Sequence, residues 1–236
     1  MGIEIEIKKR ICSRQVFDNI DKALRSSPLV AFKQKRRMRD VFLDQSNKIH
    51  SWQPQFAVFR LRVADCIEPM TQEQKFIATV KCKATLIDGV SRAEEYEVLF
   101  QNPLATSLLQ NPSPPIHTLD NEFVEMQVLK RFHLDPAVGF SIFGEYTTIR
   151  TSFDMACWKD AIFQQHGVYE TPILELDETI YSFGTAFEIE LETAFPATVE
   201  SLLMNFLTEN ACAEGVTKSK KSKFINFLNR NIDSNA

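Results

Sequence analysis

The 236-residue chain suits one large domain or two small ones, and 44% hydrophobic residues with 19 phenylalanines are enough for a sizeable packed core. A formal net charge of −4 gives no reason to expect a nucleic-acid binder or a polybasic membrane-surface protein. Five scattered cysteines without CxxC spacing and four dispersed histidines argue against a disulfide frame and a zinc site, and for a reducing compartment. No apolar run reaches the ~18 residues of a membrane span, and the chain enters its first strand without a leader pattern. A soluble, cytoplasmic protein is expected.

That first strand, Glu4-Ile5-Glu6-Ile7-Lys8, alternates strictly, with Glu4, Glu6 and Lys8 on one face and Ile3, Ile5 and Ile7 on the other. Residues 13–26 read as a helix: Val16, Ile20 and Leu24 fall four apart, Ser13 is the N-cap, and Pro28 ends it. Residues 29–44 are extended and basic and close on Val41-Phe42-Leu43-Asp44. The run Lys33, Lys35, Arg36, Arg37, Arg39 reads as a solvated face, or as charge that steers anions; Asp44 caps a turn or orients a nearby base. A hairpin-like polar stretch leads to the strand Phe59–Val63, which carries Arg60 and Arg62. A polar loop with Pro69, a strand over 79–83 with Lys81 and Lys83, and an Asp88-Gly89 turn follow. The next strand, 92–99, carries Glu94, Glu95 and Glu97. Cys82 falls on the apolar face and reads as core, and Arg92, out of phase with Glu95 and Glu97, lies outside or beyond a bulge.

The proline-rich stretch 102–118 is expected to be a mobile loop, and 119–133 a helix with Phe123, Met126, Leu129 and Phe132 on one side. A strand pair across 140–153 holds Arg150. Residues 156–171 form an excursion, and the segments 170–179 and 186–193 form a hairpin turning near Ser182-Phe183-Gly184. It carries Glu175, Asp177, Glu188, Glu190 and Glu192. Pro196 opens a helix over 197–209. The tail Lys218–Arg230 is basic and then helical. Its lysines read as solvated, except that Lys223, just before the Phe224, Phe227 and Leu228 segment, is placed to reach back over an opening.

Alternating strands with charges on one side and apolar residues on the other, and no βαβ rhythm, point to an α+β protein. We expect a closed antiparallel β-barrel of about eight strands, with a charged lumen and helices outside, as a single domain over 1–236. Burying an isolated charge costs several kcal/mol, so such a lumen suits a charged ligand. Arg60 and Arg62 offer planar forks that match phosphate. The acids repel a lone anion but accept hard divalent cations such as Mg2+ or Mn2+, which bind carboxylate and phosphate oxygens together. A metal-bound polyphosphate satisfies both sets, and with a metal-held water the expected chemistry is hydrolytic phosphoryl transfer.

The pattern Glu4-x-Glu6-x-Lys8 resembles the ExExK signature of the CYTH domain, the triphosphate tunnel metalloenzymes. The order that follows also matches that family: FLD ending at Asp44, FRLR at Phe59–Arg62, VKCK at Val80–Lys83, SRAEEYE at Ser91–Glu97, Arg150, LELDET at Leu174–Thr179, EIELE at Glu188–Glu192 and SKF at Ser222–Phe224. The last hairpin is most similar to plant-type inorganic triphosphatases and more loosely to thiamine triphosphatases. The resemblance implies a tunnel in which Glu4 and Glu6, with Glu190 and Glu192, hold metal. It implies that Glu95, Glu97 and Asp177 complete the metal shells or hold the attacking water, with the choice among Glu188, Glu190 and Glu192 left open. Lys8, Arg60, Arg62, Lys81, Lys83 and Arg150 would grip phosphate, and Lys223 would act near the terminal phosphate. Glu4 or Glu97 is the expected proton acceptor.

The expected partner is a small-molecule triphosphate, first tripolyphosphate, acting on a monomer with no nucleic acid or membrane involved. Thiamine triphosphate is the alternative substrate and needs an aromatic or apolar platform at one tunnel mouth, for which Trp52 and Trp158 are the tryptophans available. A non-catalytic polyphosphate-binding module and an adenylate cyclase are the readings from other classes.

Overall fold

The computed structural model of the protein describes residues 2–45 and 57–232. Most of the hairpin-like stretch expected after Asp44, and Trp52 with it, lies outside the described residues. The elements in chain order are β1 (Gly2–Ile11), α1 (Arg14–Ser26), β2 (Ala31–Asp44), β3 (Val58–Glu68), β4 (Met70–Lys81), β5 (Thr85–Ile87), β6 (Val90–Phe100), α2 (Asn102–Leu108), a π-helical segment Val124–Leu129 running into α3 (Lys130–Phe132), β7 (Ser141–Asp154), α4 (Lys159–His166), β8 (Ile173–Tyr181), β9 (Gly184–Glu192), α5 (Pro196–Glu209), β10 (Val216–Lys218) and α6 (Lys223–Asn229). No described helix is long and apolar enough to cross a membrane.

Eight of these strands close a ring in the order β1-β9-β8-β7-β2-β3-β4-β6, with β6 returning to β1, and every pair is antiparallel. The short β10 and β5 add to β1 and β6. Closure removes the open edges that a flat sheet of this width exposes. Because side chains alternate across the pleat, each strand sends one set of residues into the lumen and the other to an outer apolar layer.

Helices cover that layer on two sides. Ile7, Ile11, Leu174, Leu176, Ile189 and Leu191 face α1, α4 and α5. The α1 helix starts where the Ser13 hydroxyl accepts the Val16 N–H, and it buries Phe17, Ile20 and Leu24. Burial of such side chains contributes roughly 1.5–3 kcal/mol each, more than helix-propensity differences of a few tenths. On the other side Val41, Leu43, Phe59, Leu61, Ala78 and Val80 lie under α2 and the segment 116–134.

Several expectations are corrected here. The 102–118 stretch is folded: α2 and a 3-10 turn at Ile116–Thr118 bury Ala105, Leu108 and Ile116. The 119–133 helix buries Val124, Val128 and Phe132, while Met126 is exposed. A π-turn advances about 4.4 residues per turn instead of 3.6, so the buried face falls at every fourth residue. The strand pair over 140–153 is one continuous strand, β7. The loop around Pro69 is a tight turn, and β4 begins at Met70 and ends at Lys81, two residues short of the expected Lys83. Ile3 is exposed beyond the layer that buries Ile7.

One end of the ring is filled from within. Phe42, Tyr146, Tyr181 and Ala186 point inward from β2, β7, β8 and β9 and pack against Phe224 and Phe227 of α6. Gly144 leaves room for this: a Cβ there would stand 2.3 Å from Phe227 Cζ. Gly144→Ala is therefore expected to destabilise the protein by about 1–3 kcal/mol, read as a lower urea midpoint. An unchanged midpoint would mean that α6 is not seated against β7.

Candidate active site

The register of the ring brings the charged faces together. Lys8 lies opposite Glu190, which lies opposite Glu175, and Arg150 lies opposite Asp177, which lies opposite Glu188. Lys8 Nζ is 2.5 Å from Glu6 and 2.6 Å from Glu190. Arg150 donates to Asp177 through Nε at 2.8 Å and Nη2 at 2.6 Å, reaches Glu190 at 2.5 Å, and pairs with Glu175. From the start of α6, Lys223 donates to Asp177 at 2.8 Å and pairs with Glu190, with Glu188 at 3.5 Å. Ser222 caps α6, and Tyr181 donates its hydroxyl to the Lys223 carbonyl, which fixes the direction of that lysine.

Nearer the opening, Lys81 pairs with Glu4 and lies 2.8 Å from Glu95. Arg60 donates to Thr79 at 3.1 Å and approaches Glu95 and Glu97 at 3.4 and 3.3 Å, while Thr79 also donates to Glu97 at 2.9 Å. Of these groups, Glu4, Glu6, Lys8, Arg60, Lys81, Glu95, Glu97, Arg150, Glu190 and Lys223 line one cavity of about 730 Å3.

Of the residues singled out from sequence, Glu4, Glu6, Lys8, Arg60, Arg62, Lys81, Glu95, Glu97, Arg150, Glu190, Glu192 and Lys223 all line this cavity. Lys83 borders it from beyond the end of β4 and is solvent-exposed, a rim position and not the strand position expected. Asp177 and Glu188 are almost fully buried behind Arg150 and Lys223 and do not line the cavity. Arg92 is exposed. Cys82 is half-buried and accepts from Arg131 at 2.6 Å, so it joins a polar cluster on the outer face. Asp44 accepts the backbone N–H of Gln45 at 2.6 Å.

Sequence reasoning missed Asp40, Arg36 and Arg10. Asp40 is fully buried and takes both Nε and Nη2 of Arg62 at 2.7 and 3.0 Å, with Arg60 at 3.9 Å. Arg10 lies inside the barrel, 4.0 Å from Glu188. The available signal was the outward pair Val41 and Leu43, which turns Asp40 inward. The solvated-face reading of the β2 run holds for Lys33, Arg37 and Arg39 but fails for Arg36, which is on the lumen side.

The charges perturb one another strongly. Burial and the Glu190 carboxylate push Glu6 up to about 8 against the pull of Lys8. Burial also opposes ionisation of Glu190, but Lys223, Lys8 and Arg150 outweigh it and hold that carboxyl well below the usual range. Burial raises Glu175 despite Arg150, and burial with Glu4 and Glu175 raises Glu192. Glu6, Glu175 and Glu190 each place an oxygen within 4.8 Å of the others. Three hard oxygen donors so close fit a hard divalent cation. Glu175 joins this group although the resemblance did not single it out.

A family model described as the CYTH domain matches residues 2–225. The chain belongs to the CYTH family. Among solved structures, this CYTH protein is similar to HpAC1 from Hippeastrum, a candidate adenylyl cyclase described as having a dominant triphosphatase activity. The two are 26% identical over 98% of this chain and 97% of HpAC1, with a TM-score of 0.79. It shares its fold with a candidate adenylate cyclase from Bacillus halodurans (19% identity, 97% and 100% coverage, TM-score 0.59) and with the PH1819 protein of Pyrococcus horikoshii (17% identity, 96% and 99% coverage, TM-score 0.54). No curated protein matches it.

The Asp40–Arg62 pair yields a stability test. Burial raises the Asp40 carboxyl, yet Arg62 and Arg60 more than offset it and keep it below its ordinary value. Asp40→Asn leaves the Arg62 guanidinium without its carboxylate and is expected to cost about 3–5 kcal/mol at neutral pH. A depressed carboxyl stabilises the fold above its unfolded pKa of about 3.9 and loses that contribution as pH falls through the folded value. Urea unfolding should therefore show the gap between wild type and variant narrowing as pH falls below the unfolded value of about 3.9. A gap that is absent at pH 7, or that widens on acidification, contradicts the pairing.

Proposed function

We propose that this CYTH protein is a metal-dependent triphosphatase that hydrolyses the terminal phosphoanhydride of inorganic tripolyphosphate, with Mg2+ or Mn2+ as cofactor. The carrying observation is that acids and bases from all eight ring strands converge around a single 730 Å3 cavity. Only a ligand bearing both signs, an oxyanion with its cations, answers both sets. The likeness to HpAC1, described as having a dominant triphosphatase activity, supports the reading.

Glu6, Glu175 and Glu190 are the residues proposed to hold the cation, with Glu4, Glu95 and Glu192 lining the same cavity as further carboxylate donors. When bound, it supplies charge neutralisation and Lewis-acid polarisation of phosphate oxygens. Lys8, Arg60, Arg62, Lys81 and Arg150 grip those oxygens with charge-assisted hydrogen bonds. Lys223, held by Asp177 and aimed by the Tyr181 contact, donates to the phosphoryl group under attack. Asp177 and Glu188 act by holding Arg150 and Lys223 in place. Water attacks the terminal phosphorus, the anhydride P–O bond breaks, and pyrophosphate leaves. Lys81 now occupies Glu4; once it turns to phosphate, Glu4 is free to accept the proton of the attacking water. Glu97, oriented by Thr79 and Arg60, is the other carboxylate so placed.

Trp158 is buried in the core beside α4 and offers no platform for thiamine triphosphate, so the aromatic lining of the cavity among the described residues is Phe42, Tyr146 and Phe224. The test is release of phosphate from tripolyphosphate, thiamine triphosphate and ATP under Mg2+ or Mn2+, with cyclic AMP measured alongside. Tripolyphosphate should be cleaved fastest, EDTA should abolish turnover, and cyclic AMP should stay at background. Glu4→Gln and Lys81→Ala should each lower kcat/KM by roughly 100-fold or more. Full activity in either variant, or turnover in EDTA, overturns the assignment.

A further inference from the structure

Among the described residues, the bases deep in the lumen stand against carboxylates, with Arg36 the exception. Lys8, Arg60, Arg62, Lys81, Arg150 and Lys223 are each within ion-pair distance of an acid. Arg36 makes no hydrogen bond or ion pair with any described residue, and its Nε is buried without a partner. It enters the lumen at a bulge in β2, opposite Arg150 on β7 and Cys66 on β3. Burial and the guanidinium groups of Arg150 and Arg62 work against its charge, while Glu175 attracts it without reaching it. Three guanidinium groups on neighbouring strands repel one another and carry a charge for which the folded chain supplies too little compensation.

The position of Arg36 indicates what would compensate it. Beside the lumen lies a second cavity of about 610 Å3, and Arg36 lines both. Lys223 lines only the first. Arg36 therefore marks the end of the lumen away from Lys223, where the two spaces meet. Lys33, Gln34, Ser152 and Thr171 add polar atoms to the second cavity, the carboxylates Glu170, Glu175 and Glu192 line it too, and no aromatic ring of the described residues borders it. Such a wall suits a phosphate held by Arg36 and Lys33 with a divalent cation against the acids, and it offers nothing on which a nucleobase could stack.

We propose that Arg36 is a further substrate-binding residue, which holds the phosphoryl group of an inorganic polyphosphate farthest from Lys223, so that the site favours chains of three or more phosphoryl groups over pyrophosphate. This rests on the triphosphatase reading and sharpens its substrate class. A planar fork without a resident carboxylate binds phosphate without first breaking an ion pair, a cost that Lys8, Arg62, Arg150 and Lys223 must each meet.

The experiment compares wild type, Arg36→Gln and Arg36→Lys by calorimetric titration with pyrophosphate, tripolyphosphate and tetrapolyphosphate, and by steady-state kinetics with tripolyphosphate. Arg36→Gln should weaken binding of the two longer chains roughly tenfold while leaving pyrophosphate within about twofold. KM should rise with kcat nearly unchanged, and Arg36→Lys should recover part of the loss. The urea midpoint of Arg36→Gln should be no lower than wild type, because no native partner is lost. Equal weakening for all three anions, no weakening, or a fall in kcat alone overturns the subsite. Failure of the wild-type protein to cleave tripolyphosphate overturns the activity itself, a separate outcome.

Discussion

Opposite charges paired across neighbouring strands inside a closed ring are the constraint on which the rest depends. A carboxylate moved alone out of water costs several kcal/mol even after relaxation, and here Asp177, Glu188 and Glu190 are almost wholly buried. They are tolerated because the register sets Arg150 and Lys8 against them and α6 brings in Lys223. A slip of one residue in β8 or β9 would turn each of these acids outward and drive Leu174, Leu176, Ile189 and Leu191 into the lumen. The apolar outer layer and the charged inner one therefore enforce the same register. The lumen keeps its charges because the outer face, buried under α1, α4 and α5, supplies the stability that the lumen does not.

The two ends of the ring are treated differently, and that gives the lumen a direction. At one end α6 inserts Phe224 and Phe227 among inward-pointing aromatic residues of the strands. The same helix begins at Lys223, so the apolar plug and the cation that engages Glu190 and Asp177 are one element. At the other end the ring opens where Glu4 and Glu97 are only partly covered. Loosening of the aromatic contacts would thus alter the charge balance at the centre of the site as well as the seal.

Much of this was legible in the sequence because alternation is a local signal. Glu4, Glu6 and Lys8, or Glu188, Glu190 and Glu192, show their shared face without any knowledge of their neighbours. β2 hid its inner face because Arg36, Met38, Asp40 and Phe42 mix two charges with two apolar residues. Phe42 is inward for the plug and Asp40 for Arg62, two separate demands on one strand face. The π-helical segment was misread because its period differs from the one used to look for it. Lys83 was placed one step too deep because β4 stops at Lys81, where the chain leaves the ring before β5, a boundary that composition does not mark. The grouping of Glu175 with Glu6 and Glu190 depends on which strands meet in the ring, so only the closed structure reveals it.

The paired lumen also bears on how a cation and a polyanion enter it together. Lys8 and Arg150 now neutralise the same three carboxylates, Glu6, Glu175 and Glu190, that converge as a donor set. A polyanion that draws Lys8 and Arg150 onto its phosphates leaves three close carboxylates facing one another, and their repulsion raises their affinity for a divalent cation. A cation among those carboxylates conversely releases the two bases toward phosphate. Each ligand removes the competitor of the other, so on the triphosphatase reading their binding is coupled positively and, by linkage, equally in both directions. A lumen built in this way holds its charges in internal pairs until both ligands arrive, which lets a channel so densely charged remain folded between turnovers.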